Sequence, residues 1–184
     1  MATTALFDHA TGKALQSTMS LQGVARLAVC TSLPLGLFGL MNLGVAALGG
    51  MPVFFSPFGL SHSGGAVIHL VQLGLLGAAF WALTERGRAG SETFWLVSLI
   101  SLYAVLPFVT PLLDALQLGL ACTALWLFTL ATLIRVGATS RLAGCLIAPT
   151  LALTGLSAAL GLTLAAAYSP PFALLHHGNA QAPA

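Results

Sequence analysis

The chain has 184 residues, 58% of them hydrophobic and only 5% charged, with a formal charge of +2. So few charges cannot cover the surface of a soluble globule, and the scattered basic residues leave no electrostatic footprint for nucleic acid. Three cysteines, an odd number with no C-x-x-C pair, argue against a disulfide framework and against a zinc site, and read as small apolar side chains.

These limits place the protein in a lipid bilayer, as an all-α integral membrane protein of about five transmembrane helices. Residues 1–26 are mostly polar and contain no continuous apolar core, so they do not read as a cleavable signal peptide. They are expected to stay at the cytoplasmic surface, where residues 6–19 suit a short interfacial helix with a weak apolar stripe.

Residues 27–167 form a single transmembrane domain. Five stretches approach the roughly 20 residues that a helix needs to cross about 30 Å of hydrocarbon: 27–47, 66–84, 94–112, 115–134 and 142–167. Lys13 and Arg26 precede the first, Arg86 and Arg88 separate the second from the third, and Arg135 and Arg141 separate the fourth from the fifth. All six basic residues thus fall on one side, which predicts a cytoplasmic N-terminus and an outer C-terminal tail over residues 168–184. A plasma (inner) membrane is the expected location.

Trp81 and Trp95 flank the Arg86 and Arg88 loop, where amphipathic rings suit the interface. Pro111 to Asp114 predicts a tight outer turn, making the third and fourth spans antiparallel neighbours. Pro34, Pro107 and Pro149 lie inside spans and free helix carbonyls for other partners. On the fifth span Ser157, Gly161 and Ala165 recur every four residues, a ridge that admits a second helix from this chain or from another subunit.

The first outer loop, GGMPVFFSPFGLSHSGG, carries aromatic rings and no formal charge, so it is expected to lie on or dip into the outer interface. Residues 57–64 and 171–178 share the pattern P-F-small-L-x-H-x-G, one before an outer membrane entry and one after an outer exit. Coincidence, shared interfacial chemistry or a paired functional element would each account for it.

On the second span His62, His69 and Gln72 are seven and three residues apart, which places them on one side of a helix. His69 is the one clearly embedded titratable residue, and such groups mark cavities and pathways. Asn42 lies at similar depth and Gln117 is shallower, so both are expected in a polar layer with it. His176, beside His177 in the tail, emerges on the same side; His9 lies on the opposite one.

Two chemistries suit His69. It serves as a hydrogen-bonded interior residue, or, supported by His62 or His176, with Asn42 and Gln72 as polar neighbours, it holds haem, a chlorin pigment or copper, all of which imidazole ligates. A quinone or proton contact is a further possibility for the same nitrogen. Asp8, Glu85, Glu92 and Asp114 are split between loops and a tail, so no acid and base pair forms and no catalytic residue is assigned.

The expected function is that of a structural or accessory subunit which binds other membrane proteins. The alternatives are a redox or cofactor-binding membrane protein with an outer histidine site, and a small transporter or channel. Transport is the weaker of these, because the midplane offers mainly hydroxyls and Tyr103.

Overall fold

The computed structural model describes residues 21–56, 62–85 and 90–168. Five helices account for most of them: α1 (Leu21–Ala47), α2 (His62–Thr84), α3 (Ser91–Val109), α4 (Ala115–Thr139) and α5 (Arg141–Tyr168), with a 3-10 turn at Thr110–Leu112. Each span is long and apolar enough to cross a bilayer, so the chain is a multi-pass helical membrane protein, as the composition predicts.

The helix ends depart from the expected spans where local capping extends them. α1 begins at Leu21, taking in Arg26, whose guanidinium meets the Glu85 carboxylate at 3.4 Å. α4 continues beyond Ile134 to Thr139. Arg135 stays on the helix because its guanidinium lies over the Trp95 ring, 4.7 Å from the centroid. Ser140 then ends α4 and opens α5 in one residue, with its extended backbone and its hydroxyl accepting from the Ala143 N–H at 3.3 Å.

The turn before Asp114 forms where expected. The Asp114 carboxylate accepts from the Gln117 N–H at 2.7 Å, and the Gln117 side chain accepts from the Asp114 N–H at 3.2 Å, a reciprocal capping box. Gln117 is therefore engaged at the helix cap, away from any polar layer with His69.

Within the bundle α2 is the most buried helix, with Leu73, Leu76, Ala79 and Leu83 fully enclosed; it packs against α1, α3 and α5. Lipid chains are as apolar as leucine, so close approach matters more here than hydrophobic burial. Glycine supplies that approach at three crossings. A Cβ on Gly161 would stand 3.0 Å from the Gly119 Cα, one on Gly144 3.0 Å from the Gly137 Cα, and one on Gly77 2.8 Å from the Thr31 Cα. The first two pairs hold α4 and α5 together at both ends, and the Trp126 indole fills the space above Gly155 between them.

The ridge expected to serve either this chain or another subunit is thus occupied from within. Gly161 meets α4, and Ala165 is buried. Trp81 also differs from expectation: its ring is buried in the core and its indole nitrogen has no partner among the described residues, whereas the Trp95 ring lies beneath Arg135.

Two prolines create links that periodicity does not reveal. Pro34 withdraws the N–H that the Cys30 carbonyl would accept, and Gly77 of α2 lies directly against that carbonyl. Pro111 does the same to the Pro107 carbonyl, which instead accepts the Val53 N–H at 2.9 Å. The segment after α1 is thereby tied to the end of α3. Gly49, at φ 78, makes the turn that sends it there, while the Gly50 N–H closes α1 on the Val45 carbonyl at 2.9 Å.

Candidate functional site

At the Asp114 end of the bundle α2, α3, α4 and α5 diverge around a cavity of about 250 Å³, one side of which is closed by the segment Val53 to Ser56. Gly65 lets that segment approach: a Cβ there would stand 2.9 Å from the Phe55 carbonyl oxygen. Residues Val53 to Ser56 therefore pack into the end of the bundle, whereas the composition of the loop predicts a place on or in the outer interface.

His69 lines this cavity and is only 6% exposed. Its ring stacks on Tyr103 with centroids 4.5 Å apart and planes 14° from parallel. Phe38 of α1 and Phe54 of the loop approach it at 5.2 and 5.6 Å with tilted planes. Phe108 closes the group against Phe38 at 5.3 Å. α1, the loop and α3 thus fix the imidazole orientation, yet its Nε2 has no hydrogen-bond partner among the described residues. In hydrocarbon an orphaned polar atom costs about 1–3 kcal/mol or more.

Gln72, three residues on, lines the same cavity and is 3% exposed. Its amide donates a long hydrogen bond of 3.5 Å to the Pro149 carbonyl of α5. The expected pairing of His69 and Gln72 on one face is thus present. Asn42 is half-buried one turn beyond Phe38, but it does not line the cavity and makes no hydrogen bond to His69. The position that α1 offers to His69 is the ring of Phe38.

The remaining wall groups are largely engaged. The hydroxyls of Thr110, Thr154 and Ser157 donate to the carbonyls of Leu106, Thr150 and Leu153, the local pattern by which hydroxyl residues sit inside apolar helices. Cys122 adds a buried thiol, and no charged side chain among the described residues lines the cavity.

His62 opens α2, about 10 Å along the axis from His69, and its side chain is not among those described. His176 and residues 171–178 of the repeated pattern lie outside the described residues, as do residues 57–61 of its first copy.

The cavity tests the cofactors that imidazole suggests. Among the described residues no three histidine, cysteine or carboxylate side chains converge as metal ligands, and Cys30, Cys122 and Cys145 are unpaired thiols. The described residues alone therefore supply no copper ligand set. A haem or chlorin ring needs an open coordination path and a slot wider than this space, which lies below the roughly 300–1,000 Å³ of typical small-molecule sites; the His69 ring faces are also taken by Tyr103 and the phenylalanines. Among the described residues the walls thus offer His69 as the one imidazole; the side chains of His62 and His176, its expected supports, are not among them.

Tyr103, Phe38 and Phe54 are the site residues that sequence reasoning did not single out. A signal for Phe54 was present in Pro107 and Pro111, whose spacing frees the carbonyl that draws the loop inward. No family model, curated protein or solved structure matches the chain.

Proposed function

We propose that this protein is an accessory subunit of a larger membrane assembly, docked through α1 against a helix of a partner protein. The observation that carries this reading is the contrast between its glycines. Gly77, Gly119, Gly144 and Gly161 each face a neighbouring backbone; Gly44 of α1 and Gly74 of α2 face none, and neither do Gly36 and Gly39 of α1, which have no described atom within 4 Å of where a Cβ would stand. With Ser32 they share one side of α1, opposite the buried Pro34 and Phe38. Small residues on a membrane helix mark the places where another helix approaches closely.

The rest of α1 agrees with this. Only Gly23, Pro34 and Phe38 are buried along its length, and it packs on α2 and α3. Lipid satisfies its leucines, but a glycine facing lipid leaves a notch that a partner's side chain fills.

Purification in mild detergent from native membranes tests the reading. The wild-type chain is expected to migrate with partner proteins as a particle well above its own 18.8 kDa. Gly36→Leu should release those partners while leaving the melting temperature of the isolated chain unchanged, and Gly36→Ala should retain them. A wild-type chain that leaves native membranes alone and monodisperse overturns the proposal, as does a Gly36→Leu chain that keeps its partners.

A further inference from the structure

We infer that the cavity at His69 binds a small, uncharged, lipid-soluble ring compound bearing a hydroxyl group, a phenol or a ring alcohol. The first ground is the orphaned Nε2, a buried nitrogen on the cavity wall with no partner among the described residues. Depending on the tautomer, Nε2 donates or accepts, and a hydroxyl completes either arrangement because it does both.

Charge and size narrow the ligand. No charged side chain among the described residues lines the walls, so an ionised ligand would enter unpaired at large cost. About 250 Å³ holds one ring or two fused rings. Phe54, Leu106, Leu125 and Leu153 supply apolar contact around it.

The route of entry points to the bilayer as the source. Leu160 and Leu164 of α5 line one edge of the cavity and are 43% and 48% exposed on the outside of the bundle, so the cavity reaches the lipid-facing surface. Toward the Asp114 end it is closed by the loop that the Val53 N–H anchors to the Pro107 carbonyl. A compound dissolved in lipid therefore reaches His69 sideways between helices.

The experiment uses the full chain in phosphatidylcholine nanodiscs with two probes, 1-naphthol and naphthalene, which share a ring system and differ in the hydroxyl. Uptake is measured by equilibrium dialysis against empty discs. Saturable binding of both is expected, with 1-naphthol held about two- to tenfold tighter, the worth of one net hydrogen bond. His69→Phe should keep naphthalene binding and lose the preference.

In wild-type protein labelled with ¹⁵N-histidine, the His69 Nε2 resonance should move with 1-naphthol and stay in place with naphthalene. That measurement decides the matter on its own if His69→Phe fails to fold. No saturable uptake, a preference that survives His69→Phe, or an Nε2 resonance indifferent to 1-naphthol overturns the inference.

Discussion

The orphaned Nε2 of His69 sets the energetics at the residue scale, because a buried polar atom without a partner costs about 1–3 kcal/mol that an apolar ring of similar shape does not. His69→Phe is therefore expected to raise the melting temperature of the ligand-free protein by a few degrees, at roughly 2–4 °C per kcal/mol for a chain of this size. His69→Ala should lower it instead, since it removes the stack on Tyr103 and leaves a void among Phe38, Phe54 and Tyr103. Thermal melts in one detergent compare the two, and a histidine retained against its own stability is what a binding role predicts. His69 and Gln72 were legible in the sequence because a spacing of three fixes a shared face on any helix. Asn42 and Gln117 were misplaced because depth is one coordinate and rotation about each helix axis is another. Gln117 also carried a local signal for its true role: Asp114 three residues before it is the spacing of a capping box.

At the scale of elements, proline and glycine decide which helices touch. Val53→Pro removes the N–H that the Pro107 carbonyl accepts and should loosen the loop over the cavity at a cost of about 1 kcal/mol. Cys122, buried on the cavity wall, reports the change: in a chain whose Cys30 and Cys145 are replaced by alanine, its alkylation by N-ethylmaleimide should accelerate severalfold. An unchanged rate would mean that the loop does not close the cavity. The α4 and α5 pair gives a second test. Gly161→Leu drives a side chain into the Gly119 backbone, so it should destabilise the isolated chain by about 1–3 kcal/mol or more, whereas Gly36→Leu on α1 meets open space and should not. The sequence displayed both sets of small residues alike. Which set closes within the chain depended on how α5 turns at Ser140 to lie along α4, and a one-residue connection is tighter than the span between Arg135 and Arg141 suggests.

For the whole molecule, the five spans followed from composition and length alone, because a bilayer admits only helices with internally satisfied backbones in a chain this apolar. Orientation depends on a different force, the placement of arginines. Arg26, Arg135 and Arg141 share one end of the bundle with Glu85 and Trp95, and the cavity at His69 lies toward the other. The positive-inside rule assigns the arginine end to the cytoplasm and the cavity to the outer leaflet. In a chain whose three native cysteines are replaced by alanine, Leu112→Cys, 80% exposed before the Asp114 turn, is expected to react with an impermeant maleimide in intact cells. Ser91→Cys, exposed where α3 begins, should react only after the membrane is permeabilised. The opposite pattern would invert the topology. The packing of α1 would be unaffected by inversion, because no helix contact depends on which compartment an end faces. The cavity would change leaflets: a ring alcohol entering between Leu160 and Leu164 would then come from the cytoplasmic monolayer, so this labelling also decides which monolayer supplies His69.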